Sequence, residues 1–508
     1  MSFPLNESIL DSSLARLEEA RTWSPRVISK LETFIRTADD AALFRVNPVH
    51  YAAEKGMIES EAIDLFLHGA KLGLFEMEWN MVCACCGHVF QNLRDMGGLH
   101  AHFVCNICRM ENTITLDDFI QVVFTIASPI RPLVYHSPDS LAAYDHLFHY
   151  QLAKGLDRYP LQIPNENYLY QATKAITYLE PGSELNLAWE ATPGLVYIGN
   201  VIKGVVATLY VYTAASGAAP DIPQTYAIRF ENDSTISVSP PLPAQRQEIP
   251  GPVDIKVFEF SQFAVVPSGP ITIHVVNQST GRVLLWAVNL PADVGQTWVA
   301  FQPFLSGKRL LNTQTFRTLF RTETIATDEG LGVRDITFLF TDLKGSTALY
   351  DQLGDLQAYH LVRQHFDALT QVITHHAGAV VKTIGDAVMA TFISPLDAVH
   401  AALDMLGRID EFNHGRPEPL ILKIGLHRGH SIVVSLNDRL DYFGQTVNIA
   451  SRVQGLAEAH EIYLSQDVYA SPDVAKCLAD YVIAPSQATV KGVSGALQVY
   501  KVKLRAGP

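Results

Sequence analysis

The sequence predicts a multidomain α+β fold, and three observations carry that prediction. At 508 residues the chain exceeds the roughly 250–300 residues at which a single hydrophobic core stops growing. Apolar residues recur at helical spacing over the first eighty positions and alternate between about 175 and 300, the two periods that separate helix from strand. Five of the six cysteines fall between positions 83 and 108, which marks a small module of its own. Hydrophobic residues at 48% against 18% charged belong to a globular chain. The net charge of −14 favours solubility and argues against nucleic acid or an acidic membrane as the main partner, since both repel it.

Residues 1–80 read as a helical segment. SILDSSLARLEEART places Ile9, Leu14 and Leu17 on one face of a helix, and a second helix follows at 25–38. Residues 47–79 read as helix, turn at Gly56, a Glu59-Ser60-Glu61 start, a helix to about Lys71 and a stop at Gly73. Helix-turn-helix units of this spacing enter DNA grooves, but Glu61, Asp64 and His68 on the outer face would meet phosphates of like charge. A structural role is the better reading. The first thirty residues lack the basic start, apolar core and small-residue cleavage site of a secretory signal, so a cytoplasmic location is expected.

Residues 81–112 read as a zinc ribbon. Cys83-x-x-Cys86-Gly87 and Cys105-x-x-Cys108 are two close pairs, and each such turn brings two thiolates to one side of a tetrahedral ion. One structural Zn²⁺ per chain is expected, with Cys85 spare and His88, His100 and His102 as possible substitutes. Disulfides are disfavoured in a reducing compartment. Four thiolates leave no open position, which argues against catalysis by this ion.

Residues 113–174 form a mixed α/β connector, with an apolar strand at 119–126 and a His- and Tyr-rich helix at 139–154. Residues 175–303 alternate in ELNLAW, VVATLYVYT, YAIRFENDSTISVS, VDIKVFEFSQFAVV and ITIHVVNQSTGRVLLWAVNL, punctuated by Gly, Pro, Asn and Asp. That is the pattern of an antiparallel β-sandwich or barrel, its last two strands forming a hairpin around Gln278-Ser279-Thr280-Gly281. The apolar window 195–215 is long enough to span a bilayer. Lys203, two glycines and the alternation instead predict two strands and no membrane partner. Residues 304–333 read as a helical linker, helical over 305–321, then polar.

The last domain, 334–508, carries two acidic motifs. In TFLFTDLKGST, Ile336, Phe338 and Phe340 predict a buried strand that ends at Asp342, and Ser346 can cap a helix from about 347 to 376. In GAVVKTIGDAVMATF, Val380-Val381 and Val388-Met389-Ala390 predict two strands turning at Gly385-Asp386. Two strand-end carboxylates supply the oxygen ligands that hard divalent ions take. LILKIGLHRGHSIVV adds a strand, and DYFGQTVNIASRV leads into a helix on which Asn448 and Arg452, four apart, share a face.

The order FTDLKGS, KTIGD, LKIGLHRG, DYFGQTVNIASR and VKG resembles that of the class III nucleotidyl cyclases, the adenylyl and guanylyl cyclase family, over about 334–503. The resemblance implies a ferredoxin-like α/β domain in which the ribose 3′-oxygen of a nucleoside triphosphate attacks its own α-phosphorus and pyrophosphate leaves. It implies two Mg²⁺ or Mn²⁺ per site, held by Asp342, Asp386 and the carbonyl of Leu343. Gly345, Ser346 and Thr347 would face the phosphates from a helix start. Arg452 matches the arginine that stabilises the transition state, Asn448 the residue that positions the ribose, and Lys423 and Lys491 the basic positions on the triphosphate.

Lys382 and Asp441 match the purine-selecting positions, where a donor and an acceptor complement the adenine edge and mismatch guanine; a Lys382–Asp386 contact across the turn is the structural alternative. ATP is the expected substrate. In this family one site takes residues from two chains, so one complete set per chain implies a homodimer. The N-terminal 330 residues are expected to regulate the enzyme through an unknown ligand or protein. The competing readings are a catalytically silent nucleotide sensor, a GTP-specific cyclase and a DNA-binding protein with an appended cyclase.

Overall fold

The computed structural model describes residues 4–213, 224–232, 234–239, 263–326, 330–416, 419–490 and 495–504. The chain divides into two compact units. The first comprises Met1–Arg94, His102–Ile114 and Gln121–Phe304, and the second Asp95–Ala101, Thr115–Ile120 and Leu305–Pro508. Short pieces of the cysteine module and the connector, and the whole linker, thus belong with the C-terminal unit.

The first unit opens with helices Glu7–Glu19, Val27–Thr37, Pro48–Lys55 and Glu59–Lys71. Asn6 accepts from the Ile9 amide and Asn47 from the Val49 amide ahead of Pro48, supplying acceptors for N–H groups that a helix start leaves unpaired. Leu10, Leu14 and Leu17 form the buried face of the first helix, while Ile9, expected on that face, is 39% exposed. Strand Phe75–Val82 lies between Val89–Leu93 and Ile120–Ile126. The helix expected at 139–154 is a single π-helical stretch, Asp145–Gln151. It stops where Leu152 turns extended and bridges His88.

The described residues between 173 and 291 fold as two stacked sheets. One has the order Phe263–Pro267, Val205–Tyr212, Gly194–Asn200, Val283–Pro291, Thr173–Leu179; the other Thr235–Ser239, Thr225–Asn232, Gly269–Asn277, Glu184–Ala191. Alternate residues, among them Val196, Ile198, Ile228, Phe230 and Ile273, meet in one core, as the strand period requires.

Two expectations are corrected. The sheets are mixed, because Val205–Tyr212 runs parallel to Phe263–Pro267 and Thr225–Asn232 parallel to Gly269–Asn277. The last two strands are no hairpin, since Gly269–Asn277 and Val283–Pro291 belong to opposite sheets. Buried Asn277 fixes that crossing: its amide donates to the carbonyls of Leu179 and Gly281, and its oxygen accepts from the Ser279 amide and hydroxyl. The described part of the 195–215 window forms two antiparallel strands, Gly194–Asn200 and Val205–Tyr212, and among the described residues no helix is long and apolar enough to cross a membrane.

The second unit is built on a βαββαβ core. Its sheet runs Ala379–Ile384, Ala387–Phe392, Leu331–Leu343, Leu422–Leu436, Glu461–Ser465, Leu497–Leu504, Tyr481–Ala488, with Arg439–Phe443 pairing to Leu422–Leu436. Helices Asp355–His375 and Pro395–Asn413 cover one face through Leu369, Ile373, Ala402 and Met405, against Leu339, Leu343, Leu422 and Leu426 of the sheet. By alternation Phe338, Phe340, Asp342 and Lys423 face the other side. Helix Gln445–Gln454 lies there, pressed so close that a Cβ on Gly425 would stand 2.1 Å from the Gln454 nitrogen.

The single helix expected from about 347 to 376 is two, Ser346–Leu353 and Asp355–His375, broken at Gly354 with φ +75°, a conformation that glycine tolerates. The 305–321 helix is likewise two short ones, Gly307–Leu311 and Gln314–Leu319. The break falls at Asn312, whose amide is drawn to the Ala377 carbonyl at 2.9 Å.

Candidate active site

Asp342 ends its strand as its sequence position implies. Phe340 pairs with Met389, and the Val388 amide donates to Thr341 Oγ1 at 3.1 Å. The end of the strand therefore lies beside the Gly385-Asp386 turn of the adjoining hairpin, and both carboxylates sit at one end of the sheet. Asp386 Oδ2 is shut from water and has no hydrogen-bond partner, an arrangement that costs free energy until a donor or cation is supplied. Asp342 Oδ2 is 2.8 Å from Lys423 Nζ, its register partner on Leu422–Leu436.

The Leu343 side chain belongs to the core, which leaves only its main chain for a ligand. Two carboxylates and a carbonyl suit Mg²⁺ or Mn²⁺, and the unpartnered Asp386 oxygen fits that use. A cation on Asp342 must share it with Lys423 or displace the ammonium. Gly345 turns the chain with φ +79° and Ser346 begins the next helix. The Thr347 side chain and all of Lys491 lie outside the described residues.

Lys382 and Asp441 are brought together. Lys382 Nζ donates to Asp441 Oδ2, so Lys382 pairs across strands rather than with Asp386. Asp441 is 7% exposed and its other oxygen accepts the Tyr442 amide at 2.8 Å. The result is one donor and one acceptor held side by side. Asn448 is exposed and Arg452 half-buried on the helix Gln445–Gln454. Among the described residues neither side chain has a hydrogen-bond or ion-pair partner, so both are available to a ligand.

The sequence reading missed the linker's part in this site. Gln314 Oε1 accepts the Val380 amide at 2.8 Å, two residues before Lys382. Arg317 Nη1 reaches the Leu440 carbonyl at 3.4 Å, next to Asp441, and its guanidinium lies 5.4 Å from the Tyr442 ring centroid. Ser435 Oγ bonds both the amide and the carbonyl of Ile325. No local pattern announces such contacts, which arise only when the linker folds back on its own unit.

In the first unit Cys83, Cys86, Cys105 and Cys108 are buried with all four sulfurs within 4.8 Å of one another. The Cys83–Cys108 and Cys86–Cys105 separations are 3.5 and 3.7 Å, close to the ~3.8 Å edge of a tetrahedron with 2.3 Å metal–sulfur bonds. Gly87 and Arg109, each directly after a pair, have φ +80° and +59° and close the two knuckle turns. Cys85 stays outside the four. His88 reaches Cys105 Sγ only through Nδ1 at 3.6 Å while Nε2 bonds Gln151, and His102 bonds Thr113. The donor set fits a soft tetrahedral ion such as Zn²⁺.

Residues 332–503 match the family described as adenylate and guanylate cyclase catalytic domain, and residues 10–197 match a family of unknown function, DUF5939. An adenylate cyclase of Anabaena cylindrica is 28% identical over 186 residues, 34% of this chain and 37% of that protein. Adenylate cyclase 1 of Rhizobium meliloti is 30% identical over 186 residues, 33% of this chain and 27% of its own length. The chain thus spans well under two thirds of either relative. The crystal structure of the adenylyl cyclase CyaB from P. aeruginosa aligns with 35% of this chain and 97% of its own at 25% identity and a TM-score of 0.31.

Proposed function

Because residues 332–503 form a class III nucleotidyl cyclase domain, we propose that this protein converts ATP to 3′,5′-cyclic AMP and pyrophosphate at sites shared by two copies of the chain. The observation that carries the choice of ATP is the Lys382–Asp441 pair. Adenine presents an acceptor at N1 and a donor at its amino group, which Lys382 and Asp441 can meet once they open or share their own contact. Guanine presents the reverse edge and would strand both groups in a closed site, a large penalty.

Asp342, Asp386 and the Leu343 carbonyl would hold two Mg²⁺ or Mn²⁺ ions, which when bound activate the 3′-hydroxyl and neutralise phosphate charge. Arg452 holds the phosphoryl oxygens as they gain charge, where its planar fork exceeds a lysine's point charge. Asn448, one turn earlier, orients the ribose. Lys423, released from Asp342, and Lys491 take the triphosphate, and main-chain N–H groups at Gly345, Ser346 and Thr347 face it. The four thiolates hold one structural Zn²⁺, and the N-terminal region regulates turnover.

The test is turnover of the full chain with ATP, GTP, CTP and UTP, product by product. Cyclic AMP from ATP with kcat/KM at least about tenfold above GTP, the effect of ~1.4 kcal/mol, supports the reading. Cyclic GMP as the main product, or no product from any triphosphate, refutes it.

A further inference from the structure

The five-stranded sheet of the sandwich carries an apolar patch on its outer face as well. Alternation sends Val196, Ile198, Leu209 and Leu285 into the sandwich core, so Leu195, Tyr197, Val206, Tyr210, Trp286 and Leu290 face outward. They line a cavity of about 280 Å³. Its other walls come from the two cysteine knuckles, from Leu169 and from the 292–297 loop, all within the first unit. The volume lies just below the ~300–1,000 Å³ of small-molecule sites, too small for a peptide.

Among the described residues that line this cavity there are two formal cations, Arg109 and Arg158, and no carboxylate. Arg158 is 2% exposed. Its Nη1 donates to the Cys85 carbonyl at 2.8 Å and its guanidinium lies 4.7 Å from the Tyr168 ring centroid, while Nε has no partner. A guanidinium buried without a carboxylate and short of an acceptor carries a desolvation cost that an anion relieves. The aromatic wall, by contrast, is already satisfied: Trp286 Nε1 donates to Thr173 Oγ1 at 2.9 Å.

We propose that this cavity is a binding site for a small amphiphilic anion, whose apolar body lies against Val206, Tyr210 and Trp286 and whose carboxylate or equivalent head is held by Arg158. Metal-bound thiolates beside Arg158 are the rival source of negative charge. Were they to satisfy it, the cavity would show no preference among head groups.

The site is tested by calorimetric titration of the full-length protein with octanoate, 1-octanol and octylammonium, below their micellar concentrations. Saturable binding in the order octanoate, then octanol, with octylammonium absent, is expected. Arg158→Gln should weaken octanoate about tenfold or more and leave octanol unchanged, the scale of one charge-assisted hydrogen bond. Val206→Trp should fill the cavity and abolish both.

No saturable binding of octanoate to the wild-type protein, or equal affinity for the three heads, overturns the proposal, and this ranking needs no variant to fold. Octanoate binding untouched by Val206→Trp, in a variant with wild-type circular dichroism, overturns it as well.

Discussion

Lys382 and Asp441 are 59 positions apart and meet as one ion pair only because two strands deliver them to the same point. Their residue types were legible as a donor and an acceptor; their pairing was not, since nothing local links a strand to a turn so far along the chain. That Asn448 and Arg452 share one helix was legible for the opposite reason, because a spacing of four is set within the helix itself. His365 was not legible at all. It is fully buried on the helix Asp355–His375, and burial, only partly offset by a backbone hydrogen bond at Val362, lowers its pKa to about 4.

Above pH 6.5 His365 is neutral in both folded and unfolded chains and has no effect on stability. Between 6.5 and about 4 the unfolded chain takes up a proton that the folded chain refuses, so stability falls with pH, by roughly 2 kcal/mol at pH 5. Below about 4 the loss is complete. Chemical denaturation between pH 7.5 and 5 should show this slope for the C-terminal transition, and His365→Leu should reduce the fall by that ~2 kcal/mol while leaving the share of His427, whose pKa burial also lowers. An equal slope in the variant would remove His365 as its source.

At the scale of elements, the cysteine knuckles and the linker make opposite cases. The knuckles were legible because two CxxC turns fix their own geometry, and the structure gathers the four sulfurs. Elemental analysis of purified protein should find one zinc per chain, and Cys105→Ser should lose it. If even ~3 kcal/mol of the metal's binding free energy serves folding, the transition of the first unit falls by roughly 5 °C. A metal-free protein with an unchanged transition would contradict a structural ion.

The linker was read as one helix over 305–321, and 278–281 as the turn of a hairpin within one sheet. Both readings failed because tertiary partners, the Ala377 carbonyl for Asn312 and the carbonyls around Asn277, decide where those elements break or cross. Gln314 and Arg317 grip the backbone beside Lys382 and Asp441, and under the proposed function they would act as positioning residues for base choice. Arg317→Ala should lower the ATP-to-GTP ratio of kcat/KM by about two- to thirtyfold, the span of couplings of ~0.5–2 kcal/mol. A fall in thermal stability with the ratio intact would reduce Arg317 to a packing role.

At the scale of the whole molecule, the change of hydrophobic period and the cysteine cluster announced several domains, and the five ordered motifs announced the catalytic one. What the sequence hid was the interleaving of the compact units, in which 95–101 and 115–120 belong with the C-terminal one. Such excursions carry no composition of their own. The assembly is a further step, since the proposed site, with carboxylates from one copy and Arg452 from another, would exist only in a dimer.

The most direct measurement mixes Asp342→Ala chains with Arg452→Ala chains, each inactive alone, and assays cyclic AMP once native mass spectrometry shows hybrid dimers. Random pairing makes half of the dimers hybrid, each with one intact site of two, so the shared-site account predicts about a quarter of wild-type activity. Hybrid dimers with no recovered activity would contradict it.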